Sequence, residues 1–360
     1  MRRLALFAAA GVAVAAGCTT HLGPQTVARD RFDYNTEISG SWKEQTLLNI
    51  VKIRYADMPL FVEVASVVSG YTLEGAVNLG GTLSSAGAVQ GDSLSLGTSG
   101  KYTDRPTITY APITGQQFNK SFMTPITPRA VLFLMQSGWA ADLILPITVD
   151  SLNGLRAAVA GGANARSGDA RYYRAIELLR RIQKSGAVGM QIKRQSDAKE
   201  TTVLFFYRQH LSPELRKDLA ELDRLLGLNP TASEVSVAYG LLPKSDAEIA
   251  MLTRSMLQIM IALATQVDVP EEHVADGRTI GSVPGRPGRD DSRTRRLISI
   301  HHSVDKPVNA FTAVKYRDHW FWIDDRDFAS KRTFAFLMIL FSLTESGGKE
   351  GLPLVTIPAS

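Results

Sequence analysis

The hydrophobic patterning of this chain predicts an α+β fold, with mixed antiparallel sheets, packed helices and one long amphipathic β-hairpin. Three observations carry that expectation. Stretches of period two and of period 3.6 are interspersed, without the regular strand–helix–strand alternation that a parallel sheet demands. Several pairs of strand-like segments are separated by connections too short for a crossover helix. The 360 residues, 44% apolar and 21% charged, are enough for two ordinary domains or one large one.

The chain begins with a basic pair, Arg2 and Arg3, before an apolar run from Leu4 to Ala16 that closes in Ala15-Ala16-Gly17-Cys18. The run is too short for a permanent membrane helix, and small residues before the cysteine suit a signal peptidase. Residues 1–17 therefore read as a signal peptide. Cys18 is the only cysteine in the chain and has no partner for an intramolecular disulfide or a cysteine metal site. An ordinary signal peptide with an incidental cysteine is the competing reading. The pattern resembles bacterial lipoproteins, in which the cysteine after the cut is acylated. That resemblance implies a mature chain held by outer-membrane lipid through acylated Cys18, with Thr19 in place of the inner-membrane aspartate and the body facing the periplasm.

Residues 18–40 read as a lipidated tether. The remainder is expected to divide into an N-terminal α+β domain over 41–150, a middle α+β region over 151–275, a basic flexible loop over 276–296, and C-terminal strands and a helix over 297–360. In the first of these, Trp42, Leu47, Leu48, Val51 and Tyr55 fall at helical spacings up to Asp57-Met58-Pro59. Leu60 to Val68 then reads as a strand.

From 71 to 103 the pattern changes to strict alternation. Tyr71, Leu73, Val77, Leu79 and Leu83 occupy one phase of the first arm, and Leu94, Leu96 and Tyr102 one phase of the second, with a Gly/Ser-rich connection between. Each arm meets the length of about 9–11 residues that a transmembrane β-strand needs, with tyrosines at the open end. Two readings follow. A half-buried or mobile hairpin packed on the protein's own core accommodates the many glycines and serines. A membrane-entering hairpin requires a ring of subunits, because one hairpin alone leaves its edges unpaired in hydrocarbon.

Beyond it, Arg105 to Pro112 reads as a proline-bounded edge strand, Gln116–Phe122 and Pro128–Ser137 as helices, and Leu143–Val149 as a buried strand. Arg171–Ser185 is a helix stopped by Gly186, and Met190–Lys193 with Thr202–Tyr207 form a hairpin. Ser212-Pro213 opens a helix that runs to Leu226 before Gly227. Ser233–Tyr239 reads as a strand and Asp246–Val267 as one long helix. The stretch 276–296 holds six arginines, Arg278, Arg286, Arg289, Arg293, Arg295 and Arg296, against Asp276, Asp290 and Asp291. Composition makes it a solvated insertion, or a contact for anionic headgroups or an acidic partner. The rest of the chain is near neutral, so the alkaline balance does not indicate nucleic acid. Strands at Leu297–His302, Ala310–Arg317 and His319–Ile323, a helix with Phe334, Leu337, Met338, Phe341 and Leu343 on its apolar side, and a strand at Leu352–Ile357 complete the chain.

The segments EQTLLNIVKIRYADMPLF, RPTITYAPITGQQF and WFWIDDRDFASKRTFAFL resemble a group of proteobacterial outer-membrane lipoproteins. The resemblance implies a shared fold and no particular activity.

Catalytic motifs fail residue by residue. Asp324, Asp325 and Asp327 could hold a hard cation, but lack the spacing of a calcium loop and are more simply helix-capping carboxylates. His301 and His302 take opposite faces of a strand, while His210, His273 and His319 stand alone in sequence without an H-E-x-x-H motif. No phosphate loop and no nucleophile elbow occurs. Neither a metal site nor a cofactor is expected. The function expected is a lipid-anchored envelope protein with a non-enzymatic assembly, secretion or transport-associated role, oligomeric through hairpin 71–103 or paired with other envelope proteins. The alternative is an anchored periplasmic hydrolase, or a carbohydrate or peptide binder, using the Asp324–Asp327 region.

Overall fold

The computed structural model describes residues 26–68, 71–82, 93–104, 107–159, 166–194, 200–208, 211–281 and 296–344. Cys18 and the signal segment, Leu83 and the hairpin connection, His210, most of the arginine-bearing stretch and the expected strand at 352–357 lie outside them. The architecture is α+β. The chain divides into two compact units, Met1–Pro59 with Thr114–Gly347, and Leu60–Ile113 with Gly348–Ser360. The division thus falls on either side of the hairpin.

In the smaller unit the strands are β1 (Val62–Val68), β2 (Tyr71–Thr82), β3 (Ser93–Asp104) and β4 (Thr107–Pro112). β2 and β3 pair antiparallel without a slip from Tyr71↔Asp104 to Thr82↔Ser93, and their two arms are 12 residues each. β1 pairs with β4 from Val62↔Pro112 to Val68↔Thr107, with one irregularity between Val64 and Ser66. From Ser66↔Thr109 to Thr82↔Ser93 every described pair obeys one register, so the expected hairpin is prolonged at its open end. Phe61 and Ile113 are buried at the base, where the Ile113 amide donates to the Phe61 carbonyl at 2.9 Å.

The larger unit opens with α1 (Thr26–Arg54). This helix starts well before Ser41 and occupies much of the expected tether. Its first half gives no periodic signal because it has no apolar stripe: Arg31, Phe32 and Asp33 are all exposed. Only from Thr46 onward does it bury a face, whose apolar members are Leu47, Ile50 and Val51.

The next elements are α2 (Gly115–Phe118), a π-helical turn (Asn119–Met123), α3 (Pro128–Gln136) and α4 (Ala141–Thr148). α3 is capped by Thr127, whose side chain accepts from the Ala130 amide, with Pro128 in the first turn. α4 corrects the expected strand at Leu143–Val149. The run is apolar on every side, so periodicity cannot separate a buried helix from a buried strand, and Leu143 to Thr148 are all buried. The strand begins only at β5 (Val149–Leu152), which turns through Asn153 and Gly154, both at positive φ, into β6 (Leu155–Arg156).

α5 (Ala170–Lys184), β7 (Val188–Arg194), β8 (Glu200–Phe206), α6 (Pro213–Leu226) and β9 (Glu234–Tyr239) fall close to expectation. Ser212 caps α6 by accepting from the Leu215 amide, and Gly227 ends it at φ +66°. The expected helix at Asp246–Val267 is two elements, β10 (Glu248–Thr253) and α7 (Met256–Ala264). The break is local: Ser255 accepts from the Gln258 amide while the Gln258 side chain accepts from the Ser255 amide, a capping box that starts a helix there.

Six strands form the main sheet in the order β6-β5-β10-β9-β8-β7, antiparallel except for the parallel pair β9–β10. After α8 (Glu271–Ala275), a second sheet follows: β11 (His301–Ser303), β12 (Ala310–Tyr316) and β13 (His319–Asp324), ordered β11-β13-β12. β11 is shorter than expected, and Ile300 makes only an isolated bridge to Val267. The β12–β13 turn puts Arg317 and Asp318 at φ 46° and 68°. α9 (Phe328–Thr344) buries Phe334, Phe336, Leu337, Leu340 and Phe341, while Leu343, expected on the same side, is exposed in its last turn. The arginine-bearing stretch is anchored at its described ends. Arg296 pairs with Asp268, and at the other end Thr279 donates to the Arg54 carbonyl while Arg54 donates to that of Ile280.

Candidate functional site

The first candidate is the paired ribbon. Cross-strand partners share a face of a sheet, so the register sets Leu73 opposite Tyr102, Val77 opposite Thr98 and Leu79 opposite Leu96, with Tyr71 and Leu94 in the same phase. The other face sets Glu74 opposite Lys101 and Ala76 opposite Ser99. Glu74, Ala76, Asn78, Ser99 and Lys101 are exposed, and the Lys101 ammonium lies 3.9 Å from the Glu74 carboxylate. The two arms therefore carry their apolar phase in common, which alternation in either arm alone could not establish. Among the described residues no third strand flanks either arm.

Sequence reasoning missed the second candidate, which lies within the larger unit. Tyr55, just past α1, is packed edge-on to Phe321 and His273 and tilted against Tyr316. The Tyr55 hydroxyl and His273 Nδ1 share a 2.7 Å hydrogen bond. Around this contact the fold collects histidines from three elements: His273 from α8, His302 from β11 and His319 from the start of β13. The His273 and His319 rings meet edge to face at 4.9 Å between centroids, and those of His302 and His319 at 5.9 Å. His273 and His319 are therefore not isolated. His301, on the opposite face as expected, pairs instead with Asp268 at 3.3 Å and packs on Trp322.

Glu272, beside His273, brings the cluster a carboxylate: its Oε1 lies 3.9 Å from His273 Nε2 and 3.6 Å from His319 Nε2. Arg317 extends over the Tyr55 and Tyr316 rings, and the Tyr316 hydroxyl donates to Asp57 at 2.8 Å. The left-handed backbone at Arg317 and Asp318 is the tight turn that delivers His319 to this place.

Burial favours the uncharged form of three groups here. Burial, then the neighbouring His319 and Arg278, hold the pKa of His273 below its ordinary value, against the pull of Glu272. Burial and His319 do the same for His302. Burial also pushes the Tyr55 hydroxyl up to about 12, so it stays protonated. Imidazoles beside a carboxylate can exchange protons or offer lone pairs, and Glu272, His273 and His319 place one donor atom each within 4.8 Å of one another.

The three aspartates do not converge on a ligand. Asp327 caps α9, accepting from the Ser330 amide at 3.0 Å and its hydroxyl at 2.6 Å, which holds its carboxyl below the usual range. Asp325 pairs with Lys331 at 2.6 Å, and Asp324 accepts from the Arg326 amide at 2.8 Å. In the segment Trp320-Phe321-Trp322 only Phe321 is fully buried, as a core side chain.

The fold and these sites define an α+β protein with a densely packed body, a separate amphipathic β-ribbon, and a histidine–carboxylate cluster in the body. No family model, no characterised protein and no solved structure matches the chain.

Proposed function

We propose that this protein is a lipid-anchored outer-membrane component that assembles with copies of itself through the ribbon, in a structural, secretion or transport-associated role. The observation that carries the reading is the pairing of the two 12-residue arms, β2 and β3, in one register with their apolar phases on one face. An isolated two-stranded ribbon is at best marginally stable in water, and its outer edges invite further strands. Identical ribbons side by side pair every edge, and closure into a ring leaves none, which is the condition for entering hydrocarbon. Acylated Cys18 would confine the copies to one surface and raise their local concentration.

The test is the mass of the acylated protein extracted from outer membranes in mild detergent, by light scattering with the detergent subtracted. A discrete oligomer is expected. Deleting residues 73–100 should leave a monomer whose body melts as before. A monomeric full-length protein, or an oligomer unchanged by the deletion, overturns the reading.

A further inference from the structure

We propose that Glu272, His273 and His319 form a binding site for a divalent transition-metal ion of the zinc class, held by two imidazole nitrogens and one carboxylate oxygen. The separations are what a hydrogen-bonded cluster would not have. Glu272 Oε1 stands 3.6 Å from His319 Nε2 and 3.9 Å from His273 Nε2, both beyond the range of about 2.7–3.2 Å for a hydrogen bond. Bonds of about 2.0–2.1 Å to a tetrahedral zinc ion set neighbouring ligand atoms about 3.4 Å apart. The two carboxylate–imidazole separations are thus close to the edge of a coordination tetrahedron, and all three donor atoms lie within 4.8 Å of one another. Glu272 is exposed, so its carboxylate can close the remaining gap without disturbing the core.

The surroundings fit the same role. His273 is buried, and its Nδ1 is tied to the Tyr55 hydroxyl at 2.7 Å, leaving Nε2 toward Glu272. His319 faces the Arg317 carbonyl with Nδ1 at 3.5 Å, longer than a hydrogen bond, and the carboxylate with Nε2. An oxygen partner on the far nitrogen, as Tyr55 provides for His273, is what orients metal-ligating imidazoles. Two nitrogens in three donors disfavour magnesium and calcium, which take oxygen, and suit zinc and its first-row neighbours. Three protein ligands, one of them exposed, leave the fourth position to water.

The experiment uses the full chain, stripped with a chelator and titrated with Zn²⁺ in competition with a chromophoric chelator, and separately with Co²⁺ followed by its visible absorption. One equivalent of Zn²⁺ and tetrahedral cobalt bands are expected. His319→Gln and Glu272→Gln should each weaken binding at least about tenfold, Tyr55→Phe by about 10–100-fold through loss of the orienting contact, and His301→Gln should leave it unchanged. Should His319→Gln fail to fold, the exposed Glu272→Gln carries the test. Absence of stoichiometric binding by the unaltered chain, or full binding by Glu272→Gln, overturns the site. Either result is independent of whether the ribbon assembles.

Discussion

Two regions of this molecule treat their backbone polar groups in opposite ways. At the C-terminal end of α4 the carbonyls that a helix leaves over are answered inside the body. The Tyr172 hydroxyl reaches the Leu145 and Val149 carbonyls at 3.1 and 2.7 Å. Arg254 donates to those of Pro146 and Ile147 at 2.8 and 3.1 Å, and its own amide donates to Thr148 at 2.7 Å. β2 and β3 instead satisfy one another along one edge each, and neither has a further strand beside it among the described residues. The body closes its account internally, while the ribbon leaves pairing capacity for something else. Stability and association should therefore respond to different residues.

The sharpest way to break that comparison is at Arg254. Its side chain is 8% exposed and also reaches Asp150 at 3.3 Å, a carboxylate that Arg166 holds as well, at 2.7 Å. Arg254→Met leaves two buried carbonyls without their donor, at about 1–3 kcal/mol each, while Asp150 keeps its pairing with Arg166. Urea unfolding of the body should lose about 3 kcal/mol or more. Leu79→Asn, in the ribbon, should leave the same unfolding midpoint within about 0.5 kcal/mol while weakening self-association. A body destabilised as much by Leu79→Asn as by Arg254→Met would erase the distinction.

A smaller loss is expected at Tyr172, which is fully buried and whose hydroxyl burial pushes well above its ordinary pKa. Tyr172→Phe keeps the ring and its packing and removes only the donor. The expected cost is about 1–2 kcal/mol, read as a lower unfolding midpoint at unchanged denaturant slope. A neutral result would mean that water or the neighbouring ladder satisfies the Val149 carbonyl instead.

What could be read from the sequence follows from how local each signal is. Ser212-Pro213 and Gly227 bracket α6 within a few residues of its observed ends, and the alternation from Tyr71 to Tyr102 marked a hairpin whose pairing the structure bears out. α4 was illegible because the groups that end it, Tyr172 and Arg254, come from distant parts of the chain. The β10–α7 boundary was legible in principle: Ser255 and Gln258 spell a capping box, hidden within a continuous apolar pattern. The histidine cluster had a single local sign, the adjacency of Glu272 and His273. Tyr55 and His319 join it only because the end of α1 and the β12–β13 turn pack on the same side of the body.

The smallest effect tests that cluster through pH. His273 and His302 both have pKa values lowered from 6.5, chiefly by burial and then by the adjacent His319, with Glu272 pulling the other way on both and Asp268 also on His302. A base depressed on folding binds fewer protons folded than unfolded just below pH 6.5, so stability is full above that value and declines as pH falls toward the folded pKa. Carboxylates, with unfolded values of about 4, contribute little to that window. With a chelator present, the unfolding midpoint should fall between pH 7.5 and 5.5, and His302→Gln should reduce the fall without abolishing it, since His273 remains. The ribbon deletion should leave the slope intact, because residues 73–100 include no histidine. A slope unchanged by His302→Gln but flattened by the deletion would place the acid-sensitive groups in the wrong unit and reverse the division of labour argued for the two regions.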